Sequence, residues 1–317
     1  MTVSKIISHL RAIIALALVF IINTFPAGIF LAILFSVSNP HTWGWVQDLV
    51  AFTGKPINEN NAISVLMMLM VFTPVVLALF PFTPRIIAFF SGWKKAKGEN
   101  KEYIKSCLEP VCQKAGRNIE SLNLYIAETN EVNAAAFGLN NILVYDGAIQ
   151  ADKQKPGFLC GILAHELGHI SYMHGTYLIF LYMITLGANL SLKLVNFCVW
   201  VSQPLGYVPI INFMYAIIMF CLGLYMKLFA LIDTITNYIV LWFARMDEHA
   251  ADKYACEIGY GQDLLYSLTD LQQMTWIPEK KGFFANIGED HPSLPHRIET
   301  IQKYLEKHPE KTHAYLP

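Results

Sequence analysis

The sequence predicts an α-helical integral membrane protein with four spans, joined to a small α+β domain assembled from two separate stretches of chain. Three observations carry this reading. The 317 residues are 54% hydrophobic and only 15% charged, whereas about a quarter of the residues of an ordinary soluble domain are charged. The apolar residues are clumped into uncharged runs that exceed the roughly 20 residues needed to cross a bilayer core. Between and after those runs lie polar segments patterned as short strands and helices.

The first uncharged run covers residues 12–38 and the second 62–84. Lys5 and Arg11 precede the first, as they would in a cleaved signal peptide. The run outlasts the roughly 7–15 residues of a signal core, so it reads as an uncleaved anchor. Residues 94–164 are polar. A helical pattern from Asn100 ends at Gly116, as at a C-cap. "LNLYIAE" and "NNILVYDGAI" are rich in strand formers, with "NEVNAAAFG" between them, so two or three short strands lead into a helix that starts after Pro156 and Gly157. A second apolar block, 170–244, is divided at 201–209 by "VSQPLGYVP", a turn by its prolines and glycine. It forms a hairpin of helices over about 172–200 and from near Ile210, with Lys193 snorkelling to the interface beside Trp200. The resulting organisation is an N-terminal membrane region over 1–93, the first part of the polar domain over 94–171, the hairpin over 172–244 and the second part of the domain over 245–317.

Basic residues orient this layout. Lys5 and Arg11 precede the first span, Lys55 stands alone between the first two, and Arg85, Lys94, Lys95 and Lys97 open a basic stretch after the second. The 201–209 turn has none. By the positive-inside rule the N-terminus, the 94–164 region and the C-terminal segment share the cytoplasmic side. This N-in topology, with no targeting signal, fits a bacterial inner membrane. A net charge of -1 without a basic stripe excludes a nucleic-acid partner. The six cysteines, Cys107, Cys112, Cys160, Cys198, Cys221 and Cys256, form no C-x-x-C pair, which excludes zinc fingers and a disulfide framework. No internal repeat or low-complexity tract is present.

The chemistry is concentrated in "ILAHELGHIS", 162–171. On an α-helix His165 and His169 lie one turn apart on one face and can offer both imidazoles to one ion. Glu166 sits beside that ion as a general base that takes a proton from water. A catalytic zinc site needs a third protein ligand. The H-E-x-x-H-x-x-G-x-x-H solution fails, because Tyr172 and Gly175 occupy the required positions; His174 misses the register and, on a continuous helix, points about 140° away from His169. The other solution is a glutamate from a later helix. "RMDEHAADKYA", 245–255, offers Glu248 as ligand and Asp252 on the same face to accept the spare N–H of a ligand histidine. The bland alternative for these two is an exposed face paired with Arg245 and Lys253.

At this point the sequence resembles the HtpX-like membrane zinc metallopeptidases, relatives of the CAAX prenyl endopeptidases. Four motifs agree in order: "NAAAFG" from Asn133, "HELGH" from His165, the series Arg245, Glu248, Ala251 and Asp252, and "HPSLPHRI" from His291. The resemblance implies a zincin-type (gluzincin) metalloprotease domain, one zinc ion on His165, His169 and Glu248, Glu166 as general base, and Asp252 as support for a ligand histidine. It also implies that Asn133 lies on a substrate-facing edge strand, and that His291 and Arg297 border the cleft, where they polarise the scissile carbonyl or hold the ligand helix. Two alanines before Phe137 depart from the family's strand motif and leave its register open by one residue. The implied activity is endoproteolysis of misfolded or damaged membrane proteins at the cytoplasmic face, as in protein quality control and stress responses. The implied partners are unfolded polypeptides and the lipid bilayer.

Three rival readings follow from the same residues. An intramembrane protease is disfavoured by Lys153 and Lys155 just upstream of His165. A processing protease of the CAAX type is expected to carry more spans in a longer chain. A zinc-stabilised adaptor that binds clients without cutting them is disfavoured because every catalytic position is filled. His296, His308 and His313 read as surface histidines, and the 276–295 segment as a long ordered loop with a mobile lid as its rival.

Overall fold

The computed structural model describes residues 3–37, 44–54, 82–209, 211–273 and 294–311, with scattered positions between 61 and 80. The expected second span over 62–84 lies largely outside the described residues. The expected 276–295 loop lies outside them up to residue 293, His291 included, as does His313. The described helices are α1 (Val3–Val37), α2 (Gly44–Phe52), α3 (Thr83–Phe90), α4 (Gly98–Lys114), α5 (Asp146–Gln154), α6 (Phe158–Ser171), α7 (His174–Ser202), α8 (Asn212–Glu257), α9 (Gly261–Gln273) and α10 (Leu294–Lys307). The chain divides into two compact units.

The first unit comprises Met1–Ala12, Pro81–Ile179 and Leu241–Pro317. It is organised on a four-stranded sheet of order β1-β2-β4-β3, from β1 (Lys94–Lys95), β2 (Asn123–Ala127), β3 (Ala134–Phe137) and β4 (Asn141–Tyr145). β2 and β4 run parallel, with Tyr125 opposite Leu143, and antiparallel β1 and β3 form the two edges. Side chains alternate between faces. Leu124, Ile126, Ile142 and Val144 enter the main core beneath α4, α5 and α6, whereas Tyr125 and Leu143 turn to the other face, where Ala88 of α3 and Phe137 meet them. The sequence reading anticipated the two strand formers and the helix after Gly157; it did not anticipate β1, or α5 starting directly at the end of β4.

At the centre of this unit α6 is enclosed on nearly every side, with Leu163, Ala164 and Leu167 fully buried. Its start is fixed by Gly157, whose φ of 98° an L side chain rarely adopts, and by the Asp152 carboxylate, which accepts the Leu159 N–H at 2.7 Å. Gly161 lets α9 approach: a Cβ there would lie 2.5 Å from the Asp263 and Leu264 backbone.

The second unit comprises Ile13–Phe80 and Phe180–Val240. A short 3-10 turn over Gln203–Tyr207 separates α7 from α8 where the sequence marked a turn. Tyr225 and Phe229 of α8 pack with Leu192 and Val199 of α7. Phe213, Ile217, Phe220, Leu224, Leu228, Leu231 and Ile235 are exposed, and their spacing of three or four residues makes one outward apolar stripe along α8. Among the described residues two helices are long and apolar enough to cross a membrane, α1 in its window Lys5–Ile22 and α8. Four spans were expected; two meet the length and hydropathy required. α8 runs unbroken for 46 residues to Glu257, so the segment that carries Glu248 continues the expected fourth span.

Candidate active site

The site lies within the first unit, where α6 crosses the C-terminal part of α8. Gly168, between the two histidines, makes the crossing close: a Cβ on it would sit 3.0 Å from the Cα of Ala251, and Ala251 is itself fully buried. Two helices at such a distance bring the side chains flanking their contact point together. His165 and His169 from α6 therefore meet Glu248 and Asp252 from α8.

The donor atoms converge. His165 Nε2 and His169 Nε2 are 3.0 Å apart, His169 Nε2 is 3.1 Å from Glu248 Oε1, and His165 Nε2 is 3.4 Å from Glu248 Oε2. These three side chains are the candidate metal cluster among the described residues. Ligands about 2.1 Å from a tetrahedral ion lie about 3.4 Å from one another, so the spacing fits a single ion of zinc size. Two imidazoles and one carboxylate are also the donor set that such an ion takes in hydrolytic sites.

The surroundings are buried and charged. The Asp252 carboxylate lies 2.8 Å from His165 Nδ1 and accepts from Arg297 Nε at 2.9 Å and Nη2 at 2.6 Å. Arg297 Nη1 is 3.2 Å from Glu248 Oε2. Arg297, on α10, is 4% exposed and so closes a network rather than facing solvent. Burial and Arg297 disfavour a proton on His165, yet Glu248 and Asp252 outweigh them and, with no ion present, push it up to about 9. Burial alone would raise Asp252, but Arg297 and His165 dominate and hold it at about 2. Arg297 itself is held above its ordinary value, the buried carboxylates overcoming the cost of burial.

Glu166 points to the sheet. Its Oε2 accepts the backbone N–H of Ala136 at 2.6 Å, and Ala136 sits on β3, an edge strand. The strand register left open by the sequence is thereby fixed, with Ala136 as the residue whose N–H faces the glutamate. Asn133 lies just before β3; its carbonyl accepts from the Tyr145 N–H, and its side-chain oxygen accepts from the Ala134 N–H. The structure thus brings together His165, Glu166, His169, Glu248, Asp252 and Arg297, sets Asn133 at the start of the neighbouring strand, and leaves His291 outside the described residues.

One residue set aside in the sequence reading enters the site. His174 was placed on a continuous helix pointing away from His169. Instead α6 ends at Ser171, Met173 takes a φ of 61°, and α7 begins at His174. A left-handed conformation costs a non-glycine residue on the order of 1 kcal/mol, and here it turns the chain so that His174 Nδ1 lies 2.9 Å from His169 Nδ1. No glycine or proline stands between Ser171 and His174, so the residues of the break offered no sign of it.

A buried His-His-Glu donor cluster, with a further glutamate between it and a strand edge, defines the metallopeptidase class. Within that class the chain belongs to peptidase family M48, whose sequence pattern matches residues 98–305. It is 26% identical over 238 residues to a protease HtpX homolog of Desulfotalea psychrophila, covering 66% of this chain and 76% of that one. It is 26% identical over 174 residues to a CAAX prenyl protease 1 homolog of Dictyostelium discoideum, covering 53% of this chain and 38% of that one. Against CAAX prenyl protease 1 of Saccharomyces cerevisiae the identity is 23% over 223 residues, with coverage of 64% and 48%. The chain thus spans half or less of the length of these two CAAX proteases. The crystal structure of S. mikatae Ste24p aligns with a TM-score of 0.46 at 19% identity, over 86% of this chain and 64% of that one.

Proposed function

We propose that the protein is a membrane-anchored zinc endopeptidase, with zinc held by His165, His169 and Glu248 and with Glu166 as the general base. The observation that carries the reading is the position of Glu166, one residue from a ligand and bonded to the edge of β3. When bound, zinc supplies Lewis acidity at its open position, lowering the pKa of a water there and polarising a peptide carbonyl. Glu166 takes the proton from the attacking water and returns it to the leaving amide nitrogen. An extended substrate adds to the edge of β3 before Ala136, whose own N–H is held by Glu166, and backbone pairing there holds it without regard to sequence. Arg297, committed to Asp252 and Glu248, holds the ligand helices rather than touching substrate.

Misfolded or damaged membrane proteins, cut at the cytoplasmic face of a bacterial inner membrane, are the substrates this reading favours. In it the peptidase domain is assembled from 94–171 and 245–317 around the 172–244 hairpin. The broader coverage of the HtpX homolog, 76% of its length against 38% and 48% of the CAAX proteases, supports quality control over CAAX-type processing. The test is fragment formation from an unfolded membrane protein by zinc-loaded, detergent-purified chain beside Glu166→Gln at equal zinc content. Cleavage should fall by at least about 100-fold in the variant; equal rates would remove Glu166 from the mechanism. Glu248→Ala should lose zinc in equilibrium dialysis, and full occupancy would overturn the ligand set.

A further inference from the structure

The two candidate ligand histidines have unlike supports. His165 leans on an anion, Asp252 at 2.8 Å. His169 leans on a second imidazole, His174, with the two Nδ1 atoms 2.9 Å apart. His174 in turn presents Nε2 to Ser8 Oγ at 2.9 Å and to Asp247 Oδ1 at 3.3 Å. It is 5% exposed and stacks on Tyr172, with centroids 5.4 Å apart and planes 19° apart.

One proton arrangement satisfies these contacts once an ion is bound. His169 binds through Nε2, so that nitrogen is bare and Nδ1 carries the hydrogen. The His169 Nδ1–H must donate to His174 Nδ1, which is therefore bare. Neutral His174 then carries its hydrogen on Nε2, directed at Ser8 and Asp247. We propose that His174 is a positioning residue for the metal centre: it fixes the tautomer and ring orientation of His169, and is itself fixed by Ser8 from the first turns of α1 and by Asp247 from α8. The inference rests on the ligand set proposed above. It assigns a task in the metal centre to Ser8, far away in sequence, and makes the break at Met173 part of the site, because a continuous helix would carry His174 away.

The roles of packing and of positioning predict opposite orders for two substitutions. His174→Phe keeps the ring and its stack on Tyr172 but has no acceptor. His174→Asn loses bulk but keeps an oxygen near the place of Nδ1. Zinc affinity of the full chain in detergent micelles, stripped of metal and titrated against a chromophoric chelator, separates them. His174→Phe should bind zinc about 10- to 100-fold more weakly, the usual effect of removing a partner of a ligand histidine, while His174→Asn stays closer to wild type. The visible bands of cobalt(II)-loaded protein should shift in His174→Phe and less in His174→Asn. Wild-type affinity and spectrum in His174→Phe, or a greater loss in His174→Asn than in His174→Phe, would overturn the proposal. Should His174→Phe not fold, Ser8→Ala with Asp247→Asn tests the same chain of contacts from its far end: weakened zinc supports it and unchanged zinc overturns it. His169→Ala run alongside distinguishes the two levels, since undiminished zinc there would sink the ligand set itself.

Discussion

Arg297 faces two buried carboxylates at once, and the balance it keeps is testable residue by residue. It faces Asp252 and Glu248, both buried, and a buried carboxylate that loses its cation costs about 3–5 kcal/mol. Arg297→Met should therefore lower the stability of the metal-free protein by that order in guanidinium unfolding in micelles. Arg297→Lys should recover part of the loss, because an ammonium keeps the charge but not the fork that grips Asp252 at two nitrogens. A loss below about 1 kcal/mol in Arg297→Met would show that the network is not holding α10 to the ligand helices. The same pair sets an acid limit. Asp252 is held at about 2, below its unfolded value of about 3.9. A carboxyl depressed on folding adds stability that is complete above the unfolded value and is lost as the pH falls toward the folded one. Metal-free protein should lose this contribution between about pH 4 and pH 2, and Asp252→Asn should flatten that limb; an unchanged limb would assign the acid sensitivity to other carboxylates.

At the scale of elements, the two glycines of α6 separate packing from chemistry. Gly161 meets the backbone of α9 and Gly168 that of α8. A methyl group at either place forces helices apart and costs about 1–3 kcal/mol. Gly161→Ala and Gly168→Ala should both lower the melting temperature, yet only Gly168→Ala should weaken zinc binding, since only the α6–α8 crossing sets the distance from the histidines to Glu248. Equal zinc affinity in the two variants would mean that the site tolerates a shift of α8. Which parts of these elements were legible in the sequence follows from the kind of signal each leaves. His165 and His169 share one helix face and Glu248 and Asp252 another, Glu166 follows His165 directly, and helical spacing is local information. The register of β3 was open because three consecutive alanines look alike, and only the bond from Ala136 to Glu166 resolves them. His174 was lost because Ser171, Tyr172 and Met173 carry no helix breaker, so the turn there is imposed by the packing around it. β1, two lysines long, has no pattern of its own and exists because the edge of β2 is there to pair with.

At the scale of the molecule, α8 joins membrane and chemistry in one element. Its outward stripe of apolar side chains is followed by Trp242, 58% exposed, a residue type enriched where bilayer meets water. Glu248 lies six residues further along the same helix, about 9 Å at 1.5 Å per residue. Cysteine labelling tests both depth and side. In a background freed of its native cysteines, Leu224→Cys on the stripe should resist a membrane-impermeant maleimide, because lipid covers it. Lys253→Cys, on the solvent side of the ligand segment with its side chain 48% exposed, should label in inverted inner-membrane vesicles and remain unlabelled in intact cells. Labelling of Lys253→Cys from outside the cell would reverse the orientation drawn from the lysine and arginine counts, and with it the class of substrate, since the centre would then face secreted rather than newly made chains. Ready labelling of Leu224→Cys from water would instead overturn the span, and the apolar stripe of α8 would have to be covered by protein.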